Sequence, residues 1–594
     1  MACRAAAAHG MVPRITGERL QGMSSAKADG WTSLPQMMLD LSRGWHGRPM
    51  LRAWQDKGWR QVTWGEFAAR TASLAAFLRA EGVAPGDRVL LVSENRPEFP
   101  IADTAIMAIG GVTVPTYTTN TIDDHAHILR DSGATAAIVS TRKLAAAVAA
   151  ASALAGRQLD LLLCMEGEAP GAALVSHAWA RAEATPSDPA SLLAEAELIP
   201  PGRLACIVYT SGTGGLPKGV MLPHRAMLSN REGVASLARR LHLDGTPYLS
   251  FLPLSHSYEH TVGGFLLPSL GVEVVYSRGA DRLAAEFQEI RPSIITAVPR
   301  LFEVLRGRIE AGVEKEGGYK AALFRRALAL GLRKLDGPPL GLLERAQDFV
   351  LDRLVRAKVR DRFGGKLQAM VSGGARLDPD LSGFFLAMGL PVIQGYGQTE
   401  AGPVISVNPP WAIRRETVGP PLPGVEARIA DDGELCVRGE LVMDGYWNDA
   451  EATARALRDG WLHTGDVGEI GTGGYIRITD RKRDFIKTLG GDMVSPAKLE
   501  SLLMAEPEIA QAVVAGEGRP GIVALLVPAE GMEEKAKAAV ERVNRKLSSI
   551  ERIRHTAVVP PFSVENGMLT PTMKVKRRVV LELHAAVTEG LFKR

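Results

Sequence analysis

The sequence predicts an α/β protein built on doubly wound sheets, with a small β-rich subdomain and a small, mobile C-terminal α+β domain. Three observations predict this fold class. Short apolar runs alternate with amphipathic segments over several hundred residues, glycine-rich loops follow two of these runs, and short strands replace the alternation after Pro420. Alternating strands and helices are typical of parallel sheets covered by helices on both faces. Such sheets bind ligands at the carboxyl ends of their strands.

The first part of the chain supplies the alternation. Residues 63–82 have helical spacing, with large apolar side chains such as Trp64 and Phe67 on one stripe. Short apolar runs bounded by turn residues then predict buried parallel strands. The predicted strands are 89–92, 112–115, 136–139, 249–252, 273–276, 293–297 and 367–372, and a helix is predicted at 102–110.

Two further segments have open interpretations. The stretch 261–276 is apolar but interrupted by Pro268 and Glu273, so it predicts a buried passage from helix to strand and not a membrane span. The block 300–363 is helical and rich in Arg and Lys. Its basic residues are typical of a solvated helical face, and contact with anionic lipid is the alternative.

The last third of the chain changes character. Strands are predicted at 426–429, 433–438 and 475–478, with Gly and Asp turns between them. The C-terminal part has a predicted helix at 496–505, strands at 510–515 and 522–528, and a charged helix at 533–548. The predicted division is a disordered leader at 1–30, a large domain at 31–480 that includes a β-rich subdomain at about 415–480, a hinge at 481–484, and a C-terminal domain at 485–594.

Composition bounds the class of protein. The 594 residues are 46% hydrophobic and 23% charged, and the net charge is +4. These values are typical of a globular protein of more than one domain and give no argument for a nucleic-acid partner. The four cysteines are scattered, with no zinc-binding spacing and none in a motif beside a base. We therefore expect a cytoplasmic protein, with peripheral contact at the inner face of a membrane as an alternative.

The most informative motif is Tyr-Thr-Ser-Gly-Thr-Gly-Gly-Leu-Pro-Lys-Gly at 209–219. Glycines let backbone N–H groups close around phosphate oxygens, hydroxyls add donors, and Lys218 supplies a cation. The Gly-Lys-Ser/Thr ending of a P-loop is missing, which argues against that class of nucleotide site. A glycine-rich surface turn is the alternative for this motif taken alone.

Two motifs downstream suit a nucleotide. In 394–400, Tyr396 could stack on a purine, Thr399 could donate to phosphate, and Glu400 could bind Mg²⁺ through oxygen. In 460–466, Asp466 could accept hydrogen bonds from ribose hydroxyls. Each motif alone is also compatible with an ordinary polar turn.

These motifs, in this order, resemble the adenylate-forming superfamily of acyl-CoA synthetases, peptide-synthetase adenylation domains and luciferases. The resemblance continues through 372–375, 480–487 and 570–577 and covers about 35–578. The segments 94–99 and 251–260, with Thr-Pro-Thr-Met before Lys574, are similar to the long-chain acyl-CoA synthetase branch. Leu489 departs from the pattern, because relatives place a small hydroxyl residue before the two glycines.

The resemblance implies an AMP-forming ligase that uses ATP, CoA and Mg²⁺ to activate a long-chain fatty acid. It assigns catalysis to Lys574, Thr399 and Glu400, with Glu400 on Mg²⁺, and it places His256 over the acyl site, Gly490 and Gly491 at the CoA tunnel, and Arg483 at the hinge. The implied ATP and AMP contacts are Thr210, Ser211, Gly212, Thr213, Gly214, Gly215, Lys218, Gly373, Gly374, Ala375, Gly395, Tyr396, Gly397, Asp466 and Arg481.

Alternatives stay open at this level. His256 is also compatible with a buried polar histidine, and Lys574 with one more exposed lysine of a basic cluster. A peptide-synthetase domain is disfavoured because we expect no room for a carrier domain after Arg594, and a luciferase-like oxygenase is disfavoured by the long-chain segments. A non-catalytic regulator is disfavoured because Glu400 and Lys574 are present. The acyl length, the pathway, the start codon and the oligomeric state are not read from the sequence, a homodimer being one alternative.

Overall fold

The structure, a computed structural model, describes residues 30–167, 176–210, 216–482, 486–490, 493–570 and 575–593. The predicted leader at 1–30 therefore lies almost wholly outside the described residues. Two eight-stranded sheets form the centre of the molecule, and both have a parallel interior with antiparallel strands at an edge. The predicted α/β class is confirmed.

The first sheet carries the glycine-rich motif of 209–219. Its six parallel strands end at Leu204–Thr210, which pairs antiparallel with the next strand along the chain. In spatial order the strands are Gly445–Tyr446, Lys218–Pro223, Leu204–Thr210, Val112–Thr116, Arg88–Val92, Ala136–Val139, Leu161–Cys164 and Ser176–Ala178.

The second sheet carries the motif of 394–400. In spatial order its strands are Val404–Val407, Val392–Gly397, Ala369–Ser372, Ile294–Ala297, Pro247–Ser250, Glu273–Tyr276, Pro49–Gln55 and Gly58–Thr63. The last two form a hairpin that the sequence did not predict. Its turn residues, Asp56 and Lys57, adopt positive φ angles of 49° and 63°, which favour Asn-Gly, so the usual turn signal is missing.

Helices cover both faces of each sheet. One core lies between the two sheets and joins Leu91 and Val274 to side chains such as Trp64 and Phe99, whereas separate cores cover the outer face of each sheet. The helices of this region are Leu34–Gly44, Trp64–Ala80, Glu98–Ala108, Ile122–Ser132, Arg142–Ala155, Trp179–Glu183, Pro189–Ala196, His224–Ala238, Ser257–Thr261, Leu267–Ser269, Leu283–Ile290 and Pro379–Ala387, with a π-helix at Val262–Leu266.

The predicted helical block at 300–363 is confirmed. It consists of Pro299–Glu316, Gly318–Asp336, Leu342–Leu351, a π-helical turn Asp352–Arg356, and Ala357–Arg362. Its inner side packs on the second sheet through Phe302, Phe324 and Val359. No described helix is both long enough and apolar enough to span a bilayer.

A smaller antiparallel sheet follows, as the short strands after Pro420 predicted. It contains Glu426–Ile429, Glu434–Arg438, Leu457–Arg458, Trp461–Ile470 and Ile476–Arg481, with a helix at Ala450–Ala456. Beyond it, Ile486–Lys487 pairs with Met493–Val494, and the strands Ile509–Ala515, Ile522–Pro528 and Ile553–Val558 form a third small sheet. Its helices are Pro496–Met504, Ala536–Asn544, Arg577–Leu583 and Ala585–Phe592, so the charged helix predicted at 533–548 is shorter than expected.

Candidate active site

A large cleft of about 2980 Å³ opens at the carboxyl ends of the strands and brings the separated motifs together. It is lined by residues of both large sheets, the small antiparallel sheet and the C-terminal part of the chain. The predicted site residues along its wall are Thr210, Lys218, His256, Gly373, Gly374, Ala375, Gly395, Tyr396, Gly397, Thr399, Glu400 and Arg481.

The glycine-rich motif forms a connection between two antiparallel strands. Thr210 ends one strand and lies opposite Lys218, which begins the next. The Lys218 ammonium lies 3.0 Å from the carboxylate of Asp449 and 5.4 Å from the ring centroid of Tyr446. Ser211, Gly212, Thr213, Gly214 and Gly215 lie outside the described residues. The Lys218 ammonium is therefore held at the cleft by the carboxylate of Asp449.

Tyr396 ends a strand of the second sheet and is tied to the small antiparallel sheet. Its hydroxyl donates to Asp466 Oδ2 at 2.6 Å, and Arg481 Nε lies 3.0 Å from Asp466 Oδ1. Burial and the Asp466 carboxylate raise the pKa of Tyr396 well above its usual value, so the phenol stays protonated and donates. Asp466 itself is buried, with 3% exposure, and does not line the cleft directly.

A glycine between Tyr396 and Thr399 is required by close packing. A Cβ at Gly397 would lie 1.9 Å from the carbonyl oxygen of Pro403, a distance that excludes any side chain. This approach lets the chain turn directly into the short 3-10 helix Thr399–Ala401. The hydroxyl of Thr399 and the carboxylate of Glu400 are thereby placed at the cleft wall.

Thr399 and Glu400 present hard oxygen atoms at the cleft. Thr399 Oγ1 lies 2.8 Å from Ser257 Oγ, and Glu400 Oε1 accepts a hydrogen bond from the Tyr446 hydroxyl at 2.8 Å. Carboxylate and hydroxyl oxygens are the ligands that Mg²⁺ takes in proteins. The side chains present at this position fit the predicted cation.

The predicted nucleotide contacts Gly373, Gly374 and Ala375 directly follow the strand Ala369–Ser372. Gly374 has a φ of 79°, which suits glycine. A Cβ at Gly373 would lie 3.1 Å from the ring of Tyr258, so the absence of a side chain lets this ring pack flat against the loop. Tyr258 donates to the carbonyl of Val371 at 3.3 Å. The loop and the ring together form one side of the cleft.

His256 lies at the start of the helix Ser257–Thr261. Its Nδ1 accepts a hydrogen bond from the Tyr258 backbone N–H at 3.1 Å, which caps the helix and fixes the ring at the cleft wall. Part of the cleft lining is apolar. These apolar residues are Leu237, Leu241, Val262, Leu266, Ile294 and Val407.

The remaining predicted residues are spread over the C-terminal part. Gly490 is exposed in a turn. Gly491, the hinge residue Arg483 and the catalytic candidate Lys574 lie outside the described residues. Near Lys574, Arg577 forms a two-pronged ion pair with Glu500 at 2.5 and 2.6 Å, and both residues line the cleft. The start of the helix Arg577–Leu583 is therefore anchored at the cleft.

The sequence did not predict one contact of a cysteine. Cys436 lies beside a base in space, with its Sγ 3.4 Å from His463 Nδ1, because the two residues sit on neighbouring strands. Burial raises the pKa of the Cys436 thiol, which opposes thiolate formation. Glu434, Cys436 and His463 are residue types that can bind a metal ion, and their side chains lie close together. However, the Glu434 carboxylate already accepts a hydrogen bond from the Gly465 N–H at 2.8 Å and pairs with Lys482 at 3.1 Å. Nearby positive charge opposes a metal cation there.

Three partners of the predicted site residues escaped the sequence analysis. Tyr446 contacts Glu400, Asp449 contacts Lys218, and Ser257 contacts Thr399. Tyr446 lies on a two-residue strand that pairs with Lys218–Pro223 at the edge of the first sheet. An aromatic residue directly after Gly445, which has a φ of 139°, is the only local signal for it.

Comparison with known sequences agrees with this arrangement. Residues 41–447 match the AMP-binding enzyme family, and residues 483–594 match its C-terminal domain. The chain belongs to the AMP-binding enzyme family. It is 35% identical to the long-chain-fatty-acid–CoA ligase FadD15 of Mycobacterium tuberculosis, over 90% of this chain and 93% of the relative. It is 30% identical to the peroxisomal long chain acyl-CoA synthetase 6 of Arabidopsis thaliana, over 90% and 82%.

Solved structures share the fold. ATP-bound MatB from Rhodopseudomonas palustris superposes with a TM-score of 0.69 at 22% identity, over 94% of this chain and 99% of that one. The adenylation domain of a carboxylic acid reductase from Segniliparus rugosus, in complex with AMP and a carboxylic acid, superposes with a TM-score of 0.73 at 21% identity, over 97% and 95%. At 21–22% sequence identity, this structural similarity establishes the fold of the chain.

Proposed function

We propose that this protein is an AMP-forming long-chain fatty acid–CoA ligase. The observation that carries the proposal is a single cleft that joins a polar, cation-bearing end to an apolar interior. Lys218, Thr399 and Glu400 line the polar end, whereas Leu241 and Leu266 line the apolar part. Such a cleft suits an anionic nucleotide beside the carboxylate of an aliphatic acid. The names of the relatives support the same activity.

The proposed reaction has two halves. A carboxylate oxygen attacks the α-phosphorus of ATP, the α–β phosphate bond breaks, and pyrophosphate leaves. The CoA thiol, losing its proton, then attacks the acyl carbonyl, and AMP leaves. The first half brings together two anions, so it requires positive charge and oriented donors more than proton transfer.

We propose roles for the side chains that the family resemblance implies. Lys218 and the loop before it would bind the phosphates of ATP. Lys574 would contact both the carboxylate of the acid and the α-phosphate. We assign the ribose to Asp466 and Arg481. Because Asp466 is buried behind Tyr396 and Arg481, this contact requires those two side chains to shift when the nucleotide binds.

Thr399 and Glu400 would hold Mg²⁺ at the polar end. The cation would supply charge neutralisation for the phosphates. The Tyr446 hydroxyl orients the Glu400 carboxylate through its 2.8 Å hydrogen bond, and the Ser257 hydroxyl does the same for Thr399 at 2.8 Å. The ligand atoms are thus fixed before substrates bind, which lowers the cost of assembling the site.

The test of this function is a series of acids. We expect thioester formation, followed as AMP release with ATP and CoA, to favour acids of about twelve carbons or more over acetate and benzoate, because each buried methylene contributes roughly 0.8 kcal/mol. Equal turnover with acetate or an aryl acid would contradict the long-chain assignment. Absence of AMP release with every acid would contradict the ligase itself.

We also propose peripheral contact with a membrane surface, because a long-chain acid partitions into bilayers and its ligase gains access to it there. Sedimentation velocity across a range of protein concentrations distinguishes a monomer from a homodimer.

A further inference from the structure

An unusual apolar surface lies on the outer side of the helical block. In the helix Leu342–Leu351 and the turn that follows, five large apolar side chains are exposed to solvent. Their exposed fractions are 84% for Leu342, 88% for Leu343, 59% for Phe349, 50% for Val350 and 51% for Leu354. We call these five residues the 342–354 face.

The five side chains share one side of the helix. Leu342 and Phe349 are two turns apart, as are Leu343 and Val350, and Leu354 follows one turn later. The opposite side is buried through Asp348 and Leu351. This segment is therefore amphipathic with its apolar side turned outward, the reverse of what packing on the protein core would require.

The charges around the 342–354 face are almost all positive. Arg345, Arg353 and Lys358 are exposed beside it, and the Arg353 guanidinium lies 4.6 Å from the ring centroid of Phe349. Two acidic side chains of the segment are neutralised by ion pairs. Asp348 lies 2.7 Å from Arg356, and Asp352 lies 2.8 Å from Arg360.

The positive charge is concentrated in the part of the block that carries the 342–354 face. Residues 318–366 contain twelve Lys and Arg against five Asp and Glu, a net charge of +7, whereas the entire chain carries only +4. The other residues together are therefore slightly acidic. Exposed apolar side chains surrounded by Lys and Arg are typical of a helix that lies in the interface of an anionic bilayer.

The block also reaches the active-site cleft. Its first helix, Pro299–Glu316, contributes Arg300, Glu303 and Gly307 to the cleft wall. A bilayer held against the outer side of the block would therefore lie close to a site proposed to take an acid dissolved in that bilayer.

We propose that the 342–354 face docks on an anionic lipid bilayer, with its apolar side chains inserted at the level of the headgroups. A second copy of the chain fits less well, because a twofold interface would place the two segments 318–366, each with a net charge of +7, against each other. The assignment gives the proposed membrane contact a location. It does not depend on ligase activity, since binding is measured without turnover.

The experiment is co-sedimentation of the full chain with vesicles. The wild-type protein should bind vesicles of phosphatidylcholine with 30% phosphatidylglycerol at least tenfold more tightly than vesicles of phosphatidylcholine alone, and binding should weaken as salt is raised. The double variant Leu343→Glu/Phe349→Glu should bind the anionic vesicles at least tenfold more weakly. Leu198→Glu, at a position 82% exposed outside the block, is the matched control and should bind like the wild type.

Further measurements distinguish a loss of lipid binding from a loss of folding. Thermal unfolding without vesicles should give the same midpoint in all three proteins, which shows that the variants are folded. Equal vesicle binding by the wild type and the double variant would overturn the proposal, as would equal binding to neutral and anionic vesicles. A lipid-free dimer that the double variant abolishes, without vesicle binding by the wild type, would assign the face to a second copy and likewise overturn it.

Discussion

At the scale of single residues, the polar end of the cleft depends on one hydroxyl that no sequence motif marked. Tyr446 donates to Glu400 at 2.8 Å, and its ring lies 5.4 Å from the Lys218 ammonium. Its contacts thus join the residue proposed to hold the metal to the residue proposed to hold the phosphates. Glu400 and Tyr446 are therefore the two positions where a single substitution is most informative.

Replacing Glu400 by Gln removes the charge of a carboxylate with little change in volume. We expect pyrophosphate release to fall by at least about 100-fold, roughly 2.7 kcal/mol, and the remaining activity to require more Mg²⁺. Initial rates over a Mg²⁺ titration measure both effects. An unchanged rate with an unchanged Mg²⁺ dependence would mean that Glu400 has only a structural role.

Replacing Tyr446 by Phe removes the hydroxyl but keeps the ring. A single hydrogen bond to a charged group contributes roughly 1.5–3 kcal/mol, and we expect pyrophosphate release to slow by about 10-fold, because water can satisfy part of the lost bond. Tyr475→Phe is the control, since that hydroxyl donates to the Ala412 carbonyl at 2.7 Å away from the cleft. Equal effects of both variants would show that the contact with Glu400 has no special role.

At the scale of elements, two helices are joined by a buried ion pair. His260 Nε2 lies 2.8 Å from Asp103 Oδ2, and both side chains are at most 2% exposed. Burial acts to lower the pKa of His260, but the Asp103 carboxylate outweighs it and raises this pKa to about 10. The imidazole is therefore charged at neutral pH and holds the helix Glu98–Ala108 against Ser257–Thr261, next to the cleft.

The pair predicts a defined dependence of stability on pH. Because the folded-state pKa of His260 lies above the unfolded value, its contribution is fully present below pH 6.5 and is lost as pH rises toward 10. We expect Asp103→Asn to lower the free energy of unfolding at pH 7 by roughly 3–5 kcal/mol, because it leaves a buried imidazole without its anion.

Urea denaturation at pH 7 and pH 9.5 measures this prediction. The wild type should lose more free energy of unfolding between the two pH values than Asp103→Asn does. Glu426→Gln, which breaks an exposed ion pair with Arg438, is the control and should cost about 1 kcal/mol or less. An Asp103→Asn variant as stable as this control would contradict the charged pair.

At the scale of the whole molecule, the proposed chemistry needs residues that are far apart in the sequence. Lys574 belongs to the C-terminal part, whereas Thr399 and Glu400 lie in the short 3-10 helix that follows a strand of the second large sheet. The resemblance to adenylate-forming enzymes implies that the C-terminal domain would rotate at the predicted 481–484 hinge between the two half-reactions. We propose the same division of labour for this chain.

The half-reactions can be separated with Lys574→Ala. We expect this variant to lose pyrophosphate release from ATP and fatty acid, by about 1000-fold or roughly 4 kcal/mol, because a cation between two anions matters most in the transition state. It should still convert supplied acyl-AMP and CoA into thioester at close to the wild-type rate. Lys576→Ala is the matched control. Equal loss in both halves would indicate a role in folding or CoA binding, and a defect in Lys576→Ala alone would move the role to that residue.

The sequence by itself determined the alternation of strands and helices, the small antiparallel sheet and the family. These depend on local periodicity and on short motifs, so strands such as Ala136–Val139 and Glu273–Tyr276 were predicted with their observed bounds. The Asp56-Lys57 hairpin was missed because its turn uses positive φ without glycine.

Only the tertiary structure decided which side chains meet. Cys436 lies beside His463, Asp466 is buried behind Tyr396, and Tyr446 reaches Glu400, each through pairing between strands or loops distant along the chain. The outward direction of the 342–354 face was equally invisible, because an apolar stripe has the same period whether it faces the core or the solvent. Periodicity fixes the type of an element, whereas its partners depend on how the sheets assemble.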